Sequence, residues 1–383
     1  MDGQATAETV CAFALKHFEP MPDPRRANRR HKLLDILTIG LFAVIGGAED
    51  WEAVAVYGRA KHQWLKTFLE LPYGIPSHDT FGKVFARLDP DAFERCFRAW
   101  MAKLVKLAGG KLVALDGKSL RRSFEHAWDK SGMAHMVSAF VEANGMVFAQ
   151  IKTEGKGQEL DAIEKLLKLL DLNGAVVTID ALGCQKSIAQ DILGAGGNYL
   201  LQVKENQPTL LAKLRVELDD AIRDNFKGLK HDFYAETDAG HGRIEVRKLW
   251  VCWDVQLLGN LAKEWPGLRA LIVVERTRDV DGKVSTERHY YITSLDRRTK
   301  AKRLAYFVRG HWSVENNLHW QLDVSFNEDQ RRLRKGHGAE NFSRLCRLAL
   351  NLLKAEDTCK NGIAIKRQKC GWENDYLLKV VAG

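Results

Sequence analysis

Cysteine is sparse and poorly placed for chemistry. The seven, at positions 11, 96, 184, 252, 346, 359 and 370, are odd in number and widely scattered, and no pair has the short spacing of a zinc site or a redox motif. That excludes a disulfide framework and implies a reducing compartment. Long apolar runs are missing as well. The longest, Leu33 to Gly46, is interrupted by Asp35 and falls short of the roughly 18 residues that a membrane span needs. Met1 to Ala14 contains acidic residues and lacks the basic start and apolar run of a signal peptide. The expectation is a soluble, cytoplasmic protein with no membrane partner. Internal repeats and low-complexity tracts are also absent. Acidic residues are outnumbered, 49 Asp plus Glu against 58 Lys plus Arg, for a formal charge of +9. Such a balance suits a protein that meets a polyanion, although a merely basic soluble protein has the same composition.

What is present is unevenly distributed. At 383 residues the chain is too long for one ordinary domain and reads as a core with appended modules. Residues 1–105 have helical patterns and form a first domain for DNA binding or association. A proline-broken basic arm, Pro20 to Lys32, suited to lying along phosphates, leads into a helix from Leu33, and a second helical pattern runs from Lys61 to Leu71. Ser77 then stands as the N-cap of a helix reaching Leu88, so helix, tight turn and helix follow in helix-turn-helix order. Any two-helix hairpin meets that description, so DNA contact and a purely structural pair both stay open.

Beyond a helix containing Trp100 and a break at Gly109–Gly110, the pattern changes. Lys111 to Asp116 and Ala175 to Asp180 are short apolar runs that each end in an aspartate. Both read as strands buried on two faces. Aspartate is a poor strand residue, so each one either caps the following turn or belongs to a site. Between them lie strands at His135–Val141 and Met146–Lys152, joined through Ala143-Asn144-Gly145, and an amphipathic helix marked by Leu160, Ile163, Leu167 and Leu170. A helix over Ser187–Leu193, a strand over Tyr199–Val203 and a helix from Pro208 follow.

A third acid stands far downstream. Arg309 to Asp329 crowds carboxylates, histidines and two tryptophans into about six helical turns. In a helix Glu315 lies one turn from His311 and Trp312 on one side and from Leu318 and His319 on the other, on a half-buried face. Its partner is then either an arginine such as Arg309 or a divalent metal shared with the other acids. Asp180 and Glu315 are 135 residues apart, too far for one connecting helix. The gap holds Phe233–Trp253 and Leu271–Ile292, rich in Val, Ile, Tyr and Trp, which read as a β-rich insertion at about 230–295.

Five segments carry a family resemblance: Leu115 to Lys118, Thr178 to Ala181, Gly240 to Arg247 with His241, Tyr306 to Asn316, and Leu318 to Val324. In these, and in their order, the chain from roughly Leu33 to Lys354 resembles the DDE transposases of bacterial insertion sequences, in the group that includes the H-repeat-associated proteins. With the order of elements, the resemblance implies an α/β, ribonuclease-H-like (retroviral-integrase-like) catalytic core over residues 106–356 containing the β-rich insertion. The helical N-terminal domain covers 1–105, and a tail over 357–383 shows little pattern beyond a short helix. In that fold the first and fourth strands are neighbours, so Asp116 and Asp180 meet. Asp116, Asp180 and Glu315 become catalytic and metal-binding, with two Mg²⁺ or Mn²⁺ ions held by hard oxygen ligands. Tyr306, His311, His319 and Asp323 are expected to support Glu315.

DNA contacts are expected at Lys118, Lys204 and Arg309, and at a basic flank of Arg331, Arg332 and Arg334 that continues through Lys335, Arg344 and Arg347. For the last two a solvated helix face serves equally well. Arg243 belongs to a strand that faces DNA, braces the site or is merely solvated. The lysine that follows the catalytic glutamate in the wider superfamily is missing, and the gap from Arg309 to Glu315 is longer than usual, which leaves that lysine's role unassigned. The implied activity is cleavage at the element's terminal repeats and attack of the freed 3′-OH on target DNA, by a chain that is a homodimer on its DNA ends. The alternatives are a stand-alone DDE nuclease serving recombination and a non-catalytic DNA-binding derivative.

Overall fold

The computed structural model describes residues 16–26, 29–104, 111–123, 133–153, 155, 157–240 and 243–382. Met1 to Ala14, Ala27 and Asn28 of the basic arm, the Gly109–Gly110 break and His241 lie outside the described residues.

Nine strands among the described residues form one sheet: β1 Leu112–Ser119, β2 His135–Val141, β3 Met146–Lys152, β4 Val176–Ile179, β5 Asn198–Val203, β6 His231–Gly240, β7 Arg243–Cys252, β8 Ala270–Val280 and β9 Lys283–Thr293. Their spatial order is β3-β2-β1-β4-β5-β9-β8-β7-β6. β1, β2 and β3 are antiparallel, whereas β4 lies parallel to β1 from Leu112↔Val176 to Leu115↔Ile179 and β5 lies parallel to β4. The β2–β3 connection turns at Gly145, whose φ of +65° suits a residue without a Cβ. Alternate residues of the central strands serve two layers. Val113, Leu115, Val177 and Ile179 pack with Ile163, Ile188 and Ile192 from helices Glu159–Leu167 and Lys186–Gly194. Leu112, Val176 and Leu200 pack on Leu304 and Phe307 of the helix Ala301–His311. Helices on both faces explain why β4 is buried throughout. This three-strand meander followed by parallel β1-β4-β5 is the ribonuclease-H-like arrangement.

The insertion does not form a sheet of its own. β9 pairs with β5 from Leu200↔Thr293 to Val203↔Tyr290, so β6 to β9 extend the core sheet, and their distal halves run out beyond it into solvent.

The helices of the first hundred residues share one apolar core with Gly338–Ala355 and with two C-terminal helices, Ile363–Trp372 and Asn374–Ala382. Ser77 caps His78–Arg87 by accepting from the Thr80 N–H at 3.3 Å, and that helix buries Phe81, Val84 and Phe85. Leu33–Ile45 is buried on nearly every side, and so is Gly338–Ala355. That burial overturns both expectations for Arg344 and Arg347, since neither a DNA-facing flank nor a solvated face exists there. Arg344 (2% exposed) meets Glu94 at 3.1 Å and Glu340 at 2.9 Å, while Arg347 (0% exposed) meets Glu328 at 3.0 Å. The helix runs between sheet and helical bundle, where an arginine is tolerated only beside a carboxylate. Among the described residues no helix is long and apolar enough to cross a membrane.

Candidate metal centre

β1 and β4 stop pairing at Leu115↔Ile179, so Asp116 and Asp180 are the next residues past the last rung of a parallel pair. β1 continues past that point, paired only with β2, and Asp116 sits opposite Ser138. β4 ends. Asp180 opens a short turn over Ala181–Gly183 and caps it, accepting from the Leu182 N–H at 3.1 Å. Capping and site membership are thus compatible. The loop after β5 docks on the same turn, where Asn206 donates to the Ala181 carbonyl at 2.7 Å, and it carries exposed Lys204.

Glu315 arrives from the opposite direction. The chain leaves Ala301–His311 and winds Glu315–His319 as a π-helical turn before Trp320–Val324. Such turns are uncommon and concentrate at functional sites. The Glu315 side chain is 62% exposed, and the buried His319 beside it places Nδ1 3.2 Å from Glu315 Oε2 and 3.6 Å from Asp116 Oδ2. Arg309 is not the partner of Glu315; its guanidinium meets Glu236 at 3.1 Å and Asp238 at 3.0 Å on β6.

Electrostatics tie the acids together. Burial pushes the Asp116 carboxyl up to about 7, and although the Gly117 N–H opposes this, the charges of Asp180, Glu315 and Glu159 push the same way. Burial lowers His319 to about 4, the charges of Arg347 and Lys118 add to the fall, and Glu315 opposes it. The imidazole is therefore neutral at pH 7, and its Nε2 is buried with no hydrogen-bond partner among the described residues. His311 is also lowered by burial, against the charge of Asp180, and its Nδ1 lies 3.1 Å from Thr178 Oγ1 on β4.

The fold thus brings Asp116, Glu315 and His319 together, with Asp180 outside that cluster but near enough for its charge to act on Asp116, and among the described residues no lysine or arginine pairs with these acids. Lys118, 9% exposed, is held by Asp323 at 2.7 Å and by Asp329 at 3.5 Å. Neither Lys118 nor Asp323 therefore takes the part expected of it: the lysine does not face DNA, and the aspartate anchors that lysine instead of orienting Glu315. Arg331 also points inward, donating to the Phe326 carbonyl and lying 4.4 Å from the Phe342 ring. Arg334 reaches the Arg122 carbonyl at 3.5 Å, and Tyr306 bonds Glu142 at the start of the β2–β3 turn. Arg243 and Arg332 are exposed.

A divalent cation fits this donor set. Asp116, Glu315 and His319 each offer one ligand atom, all within 4.8 Å of one another, with the charge of Asp180 acting on the same carboxylate. Sequence reasoning favoured an orienting part for His319 over a ligand's; its spacing of four residues from Glu315 was visible, but not that Nδ1 reaches both acids. It also missed a groove of about 660 Å³ between β6 and Ala301–His311, whose walls carry Lys300, Lys302, Arg303, Tyr306 and Arg309 together with Glu142 and Glu236. The signal was the helical spacing of Lys302, Tyr306 and Arg309, which leads on to Ser313, with exposed Trp312 beside it and exposed Trp320 further along.

Comparison with known proteins gives the family. A family model described as "Transposase DDE domain" matches residues 108–352, and one described as "DDE_Tnp_1-associated" matches residues 15–101. "H repeat-associated putative transposase YhhI" of Escherichia coli (strain K12) is 37% identical, with 96% of this chain and 97% of that protein covered. "Putative transposase YncI" of Escherichia coli O157:H7 is 38% identical over 96% of this chain and 94% of its own length. A solved piggyBac transposase synaptic complex with hairpin DNA is a far more distant likeness, at 13% identity and a TM-score of 0.43. The chain belongs to the DDE transposase family, in its H-repeat-associated group.

Proposed function

We propose that the chain cleaves DNA at the ends of its own element and joins the freed 3′-OH to target DNA, with Asp116, Asp180 and Glu315 as the catalytic acids and His319 as a fourth ligand. The observation that carries this reading is the meeting of Asp116, Glu315 and His319 beside Asp180, where burial and like charge leave the acids in want of a cation. Two bound Mg²⁺ or Mn²⁺ ions would supply Lewis-acid charge to the attacking oxygen and to the leaving 3′ oxygen. The chain's own residues do the rest. Asp116, half-buried just past the last rung of a parallel pair, fixes the centre, and Glu315, largely exposed, faces the side from which DNA enters. His319 keeps a neutral nitrogen toward both. Water and then the 3′-OH are the nucleophiles, so no side chain is consumed.

DNA is held by exposed cations around the acids: Lys204 beside the Asp180 turn, Arg243 and Arg332, and the groove cations Lys300, Lys302 and Arg303. Aromatic faces at Tyr306, Trp312 and Trp320 interleave with the groove cations, a combination that suits a nucleic-acid strand. Because two ends must be held together, the chain acts as a homodimer on DNA. The test uses duplexes carrying the inverted repeats that flank the gene. Native protein nicks them with Mg²⁺ or Mn²⁺. Asp180→Asn, nearly isosteric, binds them equally in a gel shift but loses roughly a thousandfold or more in rate. Absence of nicking by the native chain on those ends overturns the reading.

A further inference from the structure

The π-helical turn that carries Glu315 and His319 needs something to hold it. An α-helical carbonyl accepts from the N–H four residues on, whereas a π turn shifts the pairing to five and takes up one extra residue. Such a turn competes poorly with regular helix unless its carbonyls find other donors. Lys354 supplies one. From the far end of the helix Gly338–Ala355, its Nζ donates to the Asn317 carbonyl, in the middle of the turn, at 2.6 Å. The same ammonium donates to the Gly145 carbonyl at the β2–β3 turn and lies 5.4 Å from the centre of the Phe140 ring on β2. No acid among the described residues pairs with it. An ammonium taken out of water without a carboxylate is costly, so its place is kept by these carbonyl bonds.

The extra residue has a geometric effect. In an α-helix, positions 315, 319 and 323 drift by about 40° at each step of four, or about 80° in all. A π turn at the first step takes up that drift. Asp116 and Lys118, two apart on one face of β1, are then both met by the helix: Asp116 by Glu315 and His319, and Lys118 by Asp323.

We propose that Lys354 is a positioning residue for the metal centre, holding the π-helical turn that sets Glu315 and His319 against Asp116. This rests on the reading that the acids bind a divalent ion. The comparator is Lys366, a buried lysine where Lys354 is half-buried, whose Nζ donates to the carbonyls of Leu353 and Glu356 and lies 3.7 Å from the Glu356 carboxylate, away from the π turn. Full-length, metal-free protein is titrated with Mn²⁺ alone, by calorimetry and by electron paramagnetic resonance, after circular dichroism has shown each variant folded. Lys354→Met is expected to weaken Mn²⁺ binding about tenfold, the low end of what losing a supporting contact costs a metal site. Lys366→Met is expected to keep native affinity even where its Tm falls. Native affinity in folded Lys354→Met overturns the proposal, and so does an equal loss in both variants, which would mark general loosening. Should Lys354→Met not fold, Lys354→Gln, too short to reach both carbonyls, takes its place, and native affinity there is equally fatal. If the native chain binds no Mn²⁺, the metal-centre reading itself fails and takes this inference with it.

Discussion

Asp116 is a carboxyl on which burial and neighbouring charge act in the same direction, and its pKa of about 7 makes the folded chain take up a proton that the unfolded chain releases near pH 4. The sign follows from linkage: the folded state holds that proton more tightly, so the group's contribution is fully present below about pH 4 and is lost as pH rises through 7. Without metal, Asp116→Asn should therefore raise Tm at pH 8 and leave it nearly unchanged at pH 4, as read by thermal melts in chelator. A melt raised equally at both pH values would mean that the residue is not charged at the expense of the fold. Added Mn²⁺ should reverse the order at pH 8, because only the native carboxylate can hold it. At this scale the sequence was readable where chemistry is rare. An aspartate ending an apolar strand stands out, as does an acid among histidines and tryptophans. Lys118 and Arg331 were not readable, because a cation beside a motif looks the same whether it meets a phosphate or, like Lys118, folds back onto Asp323.

Elements were legible wherever burial imposes a period. β1 to β5 and the helices between them followed from short apolar runs and 3.6-residue spacing, because a sheet covered on both faces leaves that trace. The helix Gly338–Ala355 misled, since its apolar face was visible but its arginines looked like a polar one. They are interior residues whose partners lie on other segments, Glu94 and Glu328, and contacts of that range leave no local pattern. The π turn was equally invisible, being decided by Lys354 from another helix. For Glu328, burial alone would raise the carboxyl, yet Arg347, Arg331 and Lys118 outweigh it and keep it charged. Arg347→Met should thus strand a buried carboxylate and cost about 3–5 kcal/mol. Adding Glu328→Gln should recover much of that loss, because the stranded charge is gone. A double-mutant cycle in urea measures it, and additive losses would show that the pair does not act as a unit.

At the scale of the whole molecule, the formal +9 does not say which cations DNA can meet, because some are paired with carboxylates inside the fold. Arg344, Arg347 and Lys118 are spent on carboxylates, whereas Lys204 is exposed on a loop docked to the Asp180 turn. Counterion release separates the two kinds, since each phosphate contact contributes about 0.9 to the slope of log K against log salt. Lys204→Ala should lower that slope by about one and weaken binding to terminal repeats uniformly across salt-matched sequences. Lys118→Ala should leave the slope unchanged while lowering Tm, because it strands Asp323, whereas Asp329 keeps Arg121 at 3.1 Å, and removes no phosphate contact. Both slopes come from fluorescence anisotropy of the same labelled duplex in chelator between about 50 and 200 mM salt, the range over which counterion release is large. An unchanged slope for Lys204→Ala would make that lysine structural. A slope lowered by Lys118→Ala would mean that DNA draws the lysine away from Asp323, and that the ion pair is a latch released on binding.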